Sequence, residues 1–296
     1  MIVPARLVPV VLRLQRRNRD YRTADLAERH LADLVAHPRT IAPPARLPRG
    51  VAVVREDRHG RPVYRMTPTP AVAGPPRRRV LYFHGGGYVH GIHDAHWAFL
   101  AHLVERAGVE VIVPMYPLVP EGGTAAAVAD IAVRLAREAG DDTVLMGDSA
   151  GAQIALTAAL DLRDRGVLAP LTVLIAPPID LELRHPGLPE RAPLDPWLCR
   201  DGLLVYTRRW LGEHGFGSRL NPINADPAGL GPLVVFSGTL DILTLDAHDW
   251  VDRARAAGVD VKYHEVPGQV HVYPLLPTRE GRRARRRIVG LLRGRA

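Results

Sequence analysis

The sequence predicts one α/β domain, built on a mostly parallel sheet with helices on both faces. From about residue 75 onward, short apolar runs of strand length alternate with longer runs of helical period. Strands that are apolar throughout are buried on both faces, which is typical of parallel strands joined by helices. The chain has 296 residues, 47% hydrophobic and 24% charged, which is ordinary for one large globular domain.

The first segment, residues 1–48, precedes the sheet and is predicted to be helical. It ends in a Pro-rich connector from Pro38 to Pro48. Its apolar positions are Leu26, Leu31, Leu34 and Val35. Because the strand–helix alternation does not require this segment, we expect it to lie across the carboxyl ends of the strands as a cover.

The remaining elements follow in order. Residues 51–57 and 61–68 flank a His59-Gly60 turn and predict an antiparallel hairpin at the edge of the sheet. Further strands are predicted at 79–84, 109–117, 142–148, 170–179, 232–241 and 259–268, which gives eight. Helices are predicted at 93–108, 124–140, 150–166 and 245–258, with a last helix in the C-terminal tail.

One connection is too long for this pattern. Residues 182–222 lie between two predicted strands, and an insertion of that length in a compact domain is usually a functional lid. We therefore divide the chain into an N-terminal helical cap segment (1–48), a core (49–181), a cap insertion (182–222) and the rest of the core (223–296).

The net charge is +8, and Lys262 is the only lysine among the basic residues. Acidic and basic side chains are interspersed along most of the chain, so we expect solvated faces and no nucleic-acid partner. Arg77 to Arg79 and the tail 281–296 are exceptions. They leave contact with a membrane surface open without favouring it, and a homo-oligomer is also left open.

A single cysteine, Cys199, excludes an internal disulfide and a cysteine-rich metal site. Residues 1–20 lack the uninterrupted apolar stretch and small-residue cleavage site of a signal peptide. No apolar run approaches the length of a membrane span. We therefore expect a cytoplasmic protein.

The strongest motif runs from Gly147 to Gly151, with the pattern G-x-S-x-G and Ser149 at its centre. A strand is predicted before it and an alanine-rich helix after it, which is the context in which this motif exposes a nucleophilic serine. Small residues two positions before and after Ser149 are needed because neighbouring backbone crowds the turn. The pattern therefore indicates a nucleophile, whereas an idle Gly-rich turn is the bland alternative.

A second motif, His84-Gly85-Gly86-Gly87, follows a predicted strand. Acyl transfer through Ser149 would create an oxyanion that needs preorganised N–H donors. We expect these donors to be the backbone N–H groups of Gly86, Gly87 and Ala150. A phosphate-binding loop would need a different glycine spacing. We expect His84 to hold the loop by hydrogen bonds.

A nucleophilic serine needs a base, and the base needs an acid that orients it. Asp241 and His271 each follow a predicted strand, in the order Ser, acid, His found on sheets of this type. Asp246 and Asp249 are rivals for the acid, but we expect both on the surface of the following helix. His264 is a rival for the base, but it lies inside a strand pattern.

Other histidines could suggest a metal, but no metal-ligand spacing such as H-E-x-x-H occurs. Surface or packing roles are expected for His90, His93, His96 and His102. We therefore expect neither a metal nor a cofactor.

These motifs together resemble the hormone-sensitive-lipase-like branch of the α/β-hydrolases, the family IV carboxylesterases. The resemblance rests on HGGGY (84–88), GDSAG (147–151), GTLDIL (238–243) and GQVHVY (268–273), and covers about residues 45 to 280. YPLVPE (116–121) is similar to the family's YRLAPE, although Pro117 replaces the usual arginine and Met115 the usual aspartate.

The resemblance implies an α/β-hydrolase fold with an eight-stranded sheet and a helical cap. It implies a Ser149–His271–Asp241 triad, an oxyanion hole from Gly86, Gly87 and Ala150, and a substrate contact at Tyr88. We expect a carboxylesterase acting on small to medium acyl esters. A lactone hydrolase or arylformamidase would use the same triad. A non-catalytic small-molecule binder of this fold is the remaining alternative, and the presence of His271 argues against it.

Overall fold

The computed structural model describes residues 2–37, 42–44, 47–48, 50–69 and 78–294. Within these ranges eight strands form one sheet. They are β1 (Val51–Arg58), β2 (Arg61–Pro68), β3 (Arg79–Phe83), β4 (Glu110–Pro114), β5 (Thr143–Asp148), β6 (Thr172–Ile175), β7 (Leu233–Gly238) and β8 (Val261–Val266). Their order is β1-β2-β4-β3-β5-β6-β7-β8; β1 and β2 pair antiparallel and β3 to β8 are parallel.

The α-helices of the described ranges are α1 (Val8–Leu14), α2 (Ala24–Ala36), α3 (Asp94–Ala107), α4 (Ala125–Ala139), α5 (Ala150–Asp164), α6 (Leu188–Arg191), α7 (Arg200–Leu211), α8 (Thr244–Ala256) and α9 (Arg279–Leu292). Each strand and helix predicted beyond residue 50 is present, with ends that differ by a few residues. The predicted fold class, an α/β-hydrolase fold with a mostly parallel eight-stranded sheet, is confirmed. None of these helices is long and apolar enough to cross a membrane.

The central strands are buried along their whole length, as expected for a sheet covered on both faces. Every residue of β4, β5, β6 and β7 is buried. One apolar layer, which includes α4, α5 and α8, packs on one face, and a second layer, which includes α3 and α9, packs on the other. Because the strands from β3 onward are parallel, their carboxyl ends share one edge of the sheet, where ligand sites of such folds lie.

The N-terminal segment packs against the 182–222 insertion. Tyr21, Leu31 and Leu34 share a buried apolar cluster with Leu203 and Tyr206 of α7. The Thr23 hydroxyl accepts a hydrogen bond from the Leu26 amide and so begins α2. Helix α2 therefore rests on the insertion and not on the far face of the sheet.

The predicted apolar positions of this segment differ in their burial. Leu31 and Leu34 are buried, but Val35 is 59% exposed. Val35 lies next to Leu34 in sequence, about 100° around the helix, so it points away from the insertion. Most of the Pro38 to Pro48 connector lies outside the described residues.

Candidate active site

Ser149 stands at the sharp turn between β5 and α5. Its φ of 51° and ψ of −126° place it in a region that residues with a side chain rarely adopt. A Cβ on Gly147 would collide with the backbone of Gly151, and one on Gly151 would collide with the Phe83 carbonyl of β3. The crowding predicted from the G-x-S-x-G spacing is therefore real, and it holds the serine hydroxyl above the carboxyl ends of the strands.

Three side chains from separate loops form one hydrogen-bonded chain. Ser149 Oγ lies 2.8 Å from His271 Nε2, and His271 Nδ1 lies 2.7 Å from Asp241 Oδ2. The His271 Nδ1–H donates to the Asp241 carboxylate, which leaves Nε2 free to accept from the serine hydroxyl. The second Asp241 oxygen accepts from the Leu243 amide at 2.9 Å. Asp241 follows β7 and His271 follows β8, as the sequence predicts.

The rival acids lie elsewhere. Asp246 and Asp249 both belong to α8, as predicted, and Asp249 is exposed and bonded to His185 at 3.1 Å. The expectation that Asp246 lies on the surface is wrong, because it is buried. Burial and the charge of nearby Asp180 raise the pKa of Asp246 to about 7. The rival base His264 lies within β8, as predicted.

The electrostatics around His271 favour its protonated form. Burial alone would lower the pKa of His271, but the charge of Asp241 and its hydrogen bond raise it, and Asp195 and Asp148 add to this. The net effect is a pKa above the ordinary value. The arrangement suits a base that must hold a proton in the course of a reaction.

The N–H groups expected at an oxyanion hole belong to two elements, the turn after β3 and the first residue of α5. Gly86, with φ of 131°, and Gly87, with φ of 60°, form the turn after β3. A Cβ on Gly86 would collide with the His90 carbonyl. Ala150 is the first residue of α5, so its N–H has no partner within the helix. No hydrogen bond to a described residue occupies the N–H of Gly86, Gly87 or Ala150.

Buried polar groups hold the glycine loop, residues 84–87, in place. His84 Nδ1–H donates to the Gly85 carbonyl at 2.7 Å, and the Tyr116 hydroxyl donates to the His84 carbonyl at 2.7 Å. Burial lowers the pKa of His84 to about 3, with the nearby His96 adding to the effect. His84 is therefore neutral and holds the loop, in agreement with the prediction from sequence.

Asp148, directly before the serine, also supports this loop. Its carboxylate accepts from the Gly85 amide at 2.9 Å and from the Tyr82 hydroxyl, and it lies 3.2 Å from His96 Nε2. Burial would raise the pKa of Asp148, but the charge of His96 and these hydrogen bonds outweigh it and lower the pKa. His96 is buried in this contact, which fits its predicted packing role. In the described ranges no three or more histidine, cysteine or acidic side chains could hold a metal ion together.

A cavity beside Ser149 contains about 330 Å³ of empty space, part of which is open to solvent. Its walls are mostly aliphatic and come from the glycine loop, the start of α5, the 182–222 insertion and the loop after β7. The lining residues include Tyr88, Leu181, Leu183, Leu198, Leu203 and Leu243. Tyr88 is buried and stacks on Trp210 with ring centroids 4.5 Å apart. Tyr88 therefore lies in the cavity wall, and its contact with substrate stays a prediction.

The insertion also contributes groups that sequence reasoning missed. Asp195 Oδ2 accepts from the Ile242 amide at 2.9 Å, directly beside Asp241. Asp195 Oδ1 accepts from the amides of Trp197 and Leu198. The Trp197 ring meets the His271 ring edge-on at 5.8 Å between centroids. The only signal in the sequence is an acid within an apolar run, LDPWL, and it does not reveal which loop Asp195 will meet.

Comparison with known proteins places this geometry in a family. The family described as alpha/beta hydrolase fold matches residues 80–275. An acetyl-hydrolase of Streptomyces hygroscopicus is 34% identical over 218 residues, which cover 70% of this chain and 72% of that protein. An esterase of Acinetobacter venetianus is 30% identical over 62% of this chain and 63% of its own length.

A solved structure agrees over the whole chain. An esterase from the bacterial hormone-sensitive lipase family is 28% identical and has a TM-score of 0.81, covering 100% of this chain and 99% of that one. The chain belongs to the α/β-hydrolase family. Within it, the chain is an enzyme of the esterase and lipase group that resembles hormone-sensitive lipase.

Proposed function

We propose that the protein is a serine carboxylic ester hydrolase that works through an acyl-enzyme on Ser149. The observation that carries this proposal is the unbroken chain from Ser149 Oγ through His271 to Asp241, with distances of 2.8 and 2.7 Å. Both distances are within hydrogen-bond reach, which proton transfer between nucleophile and base requires.

In the first half of the reaction, Ser149 Oγ attacks the ester carbonyl while His271 Nε2 takes the hydroxyl proton. Asp241 holds the imidazole in the tautomer that makes Nε2 the acceptor, and stabilises the imidazolium that forms. The negative oxygen of the tetrahedral intermediate faces the N–H groups of Gly86, Gly87 and Ala150. The intermediate then expels the alcohol, which takes its proton from His271.

In the second half, water attacks the acyl group on Ser149 and His271 takes its proton. A second tetrahedral intermediate forms in the same oxyanion hole. It collapses to a carboxylic acid, and the serine oxygen regains its proton from His271. The protein side chains and backbone supply every group that this mechanism uses, so it includes no metal or cofactor.

We also propose that residues 1–48 and 182–222 act together as a cap over the site. Two observations support this: Tyr21 and Tyr206 lie beside Gly87, and three leucines of the insertion, Leu183, Leu198 and Leu203, line the cavity next to Ser149. The cavity beside Ser149 is small and its walls are mostly aliphatic, so we propose short to medium acyl chains as its substrates. The acetyl-hydrolase name of one relative agrees with this size.

Lactones and N-formyl aryl amides remain alternative substrates, since the same groups could open them. The non-catalytic binder is disfavoured, because His271 lies within hydrogen-bond distance of Ser149.

The test is hydrolysis of p-nitrophenyl acetate, butyrate and hexanoate, alongside a lactone and an N-formyl aryl amide. Ser149→Ala should lower kcat by about 10⁶-fold, the scale seen when a triad nucleophile is removed. A Ser149→Ala variant that keeps a tenth of the activity would refute the nucleophile. A wild-type protein that turns over none of these compounds would favour the binder.

A further inference from the structure

The first helical turns of the chain carry two apolar faces, of which only one is covered. Residues Ala5–Leu7 form a 3₁₀ turn that continues into α1. Positions 5, 8, 9 and 12 are partly or fully buried, and positions 7, 10, 11 and 14 are exposed. Each set follows the i, i+3, i+4, i+7 spacing of one helix face. An ordinary surface helix would present polar residues on its outer face.

The outer face consists of aliphatic side chains. Leu7, Val10, Val11 and Leu14 are 46%, 48%, 42% and 79% exposed. Ile2 precedes them and is 48% exposed, and Leu194 of the insertion is 47% exposed. The Arg13 side chain donates to the Leu194 carbonyl at 3.1 Å, so this part of the insertion lies next to α1. A contiguous exposed apolar patch of this kind marks an interaction site.

Arginines surround this patch. Residues 1–19 contain five arginines (Arg6, Arg13, Arg16, Arg17 and Arg19) and no acidic residue. All five are exposed. We call the apolar residues Leu7, Val10, Val11 and Leu14 and these five arginines the N-terminal docking face.

We propose that the N-terminal docking face binds the surface of an anionic phospholipid bilayer, with the aliphatic side chains inserted among the acyl chains and the arginines at the headgroups. Apolar residues on one helix face with flanking basic residues are the features of helices that lie in a membrane interface. The charge argues against a second copy of the chain as occupant, because two faces of the same positive sign would repel. Nucleic acid would match the arginines but offers nothing to exposed aliphatic side chains.

Helix α9 provides a contrast within the same protein. Arg283, Arg286 and Arg287 are exposed on it and surround one surface hollow, but α9 exposes no large apolar side chain. The charge of these arginines alone would attract an anionic membrane weakly, and no side chain of α9 would insert among the acyl chains. The basic C-terminal tail is therefore a weaker candidate for membrane contact than the N-terminal docking face.

The face also lies close to the active site. Leu194 is followed by Asp195, whose carboxylate accepts from the Ile242 amide beside Asp241. A bilayer docked on this face would lie next to the cap wall that contacts the triad. Lipophilic esters dissolved in the membrane would then be near the entrance.

The experiment measures sedimentation of the full-length protein with vesicles. One set is phosphatidylcholine alone, and the other contains about one third phosphatidylglycerol, an anionic lipid that attracts basic residues. One triple variant carries Arg6→Gln, Arg16→Gln and Arg17→Gln. Its matched control carries Arg283→Gln, Arg286→Gln and Arg287→Gln, with the same change in net charge. A serine pair, Val10→Ser with Leu14→Ser, is matched by Val54→Ser with Leu168→Ser, which are exposed elsewhere.

The wild type should bind the anionic vesicles, and binding should weaken as salt is added. The N-terminal triple variant should bind at least about tenfold less tightly, whereas the α9 triple variant should change by less than about twofold. The Val10/Leu14 pair should also weaken binding, and the Val54/Leu168 pair should not. The circular dichroism spectrum and the thermal unfolding midpoint, measured as folding controls, should be unchanged in all four.

Four results would overturn the proposal. The wild type could ignore anionic vesicles or bind neutral ones equally well. The α9 triple variant could lose as much binding as the N-terminal one. The Val10/Leu14 pair could leave binding intact, which would exclude insertion. Light scattering could reveal a dimer that this pair dissociates, which would make a second copy the occupant.

Discussion

At the scale of single residues, Asp241 is the group whose chemistry is most constrained. It is fully buried, and its two oxygens accept from His271 and from the Leu243 amide. A buried carboxylate with these partners stabilises only the His271 tautomer that carries its proton on Nδ1. The orientation of the Asp241 carboxylate therefore matters as much as its charge.

Asp241→Asn tests this role. The asparagine can accept from the Leu243 amide but would then present its NH₂ group to His271 Nδ1, which favours the wrong tautomer. We expect kcat to fall by roughly 10⁴-fold, the figure for the corresponding change in a serine protease. Asp249→Asn, an exposed acid of α8, is the control and should change kcat by less than about threefold. Equal losses in the two variants would contradict the assignment.

The pH dependence follows from the environment of His271. Neutral His271 is the base, so kcat/KM should rise with pH as the imidazole loses its proton. Because Asp241 raises the pKa of His271, the midpoint should lie above the ordinary value of about 6.5 that the sequence alone would suggest.

Asp195→Asn gives this prediction a sharper form. Asparagine keeps one acceptor oxygen, but its NH₂ group replaces the other, which accepts a backbone amide in the wild type. Burial and the charge of Asp241 raise the pKa of Asp195 itself to about 7, so its negative charge helps to raise the pKa of His271 mainly above that pH, and the variant removes this charge. The midpoint of kcat/KM should therefore move to lower pH than in the wild type. An Asp195 that is merely structural would lower the rate without moving the midpoint, and that outcome would contradict its electrostatic effect on His271.

The sequence predicts that Ser149, Asp241 and His271 lie together, because each follows a strand and parallel strands bring their carboxyl ends together. Their side chains are within hydrogen-bond distance, and their catalytic roles stay a prediction. Sequence reasoning did not reach Asp195. The contact of Asp195 with Ile242 spans 47 residues and depends on how the insertion folds, and no local pattern encodes that. Asp246 was placed correctly on α8, but its burial depends on its packing against the insertion.

At the scale of elements, α7 shapes the cavity. Leu203 on this helix is 8% exposed and lines the cavity beside Ser149. The sequence does not predict the boundaries of α7. This helix lies in the 182–222 insertion, outside the strand–helix alternation of the sheet, and it packs against α2. The cavity therefore follows from tertiary packing of two segments that are far apart in the chain.

Leu203→Ala should widen the acyl pocket. Each additional methylene buried contributes about 0.8 kcal/mol, close to fourfold in kcat/KM. We expect the ratio of kcat/KM for the hexanoyl ester to that for the acetyl ester to rise by at least about fourfold. Leu230→Ala, at 8% exposure in the core but outside the cavity lining, is the matched control and should leave the ratio unchanged. An unchanged ratio in Leu203→Ala would place the acyl chain elsewhere.

At the scale of the whole molecule, the sheet and the proposed cap can be predicted from the sequence to different degrees. The alternation of apolar strands and helices predicts β3 to β8, because burial on both faces leaves a continuous apolar signal in the sequence, and the His59-Gly60 turn predicts the hairpin of β1 and β2. The cap carries no such signal. The outer apolar face of α1 was missed for a related reason: Arg6, Arg13 and the two prolines interrupt the run, and only the folded helix reveals that its aliphatic residues separate into a buried and an exposed face.

The whole molecule therefore consists of a sheet that brings three loops together, and of an N-terminal segment and an insertion that pack against each other and that we propose to be a cap. The central claim is that this arrangement makes Ser149 a nucleophile. Ordinary serine hydroxyls are too weakly nucleophilic to react with phosphonylating agents, so reactivity at one serine would report the chain of hydrogen bonds directly.

The most direct measurement is covalent labelling with a fluorophosphonate, followed by intact-protein and peptide mass spectrometry. The wild type should gain one label per chain, located on Ser149, in step with the loss of esterase activity. Ser149→Ala should gain none, and His271→Ala should react far more slowly. A label on another residue, or labelling of Ser149→Ala at the wild-type rate, would contradict the account.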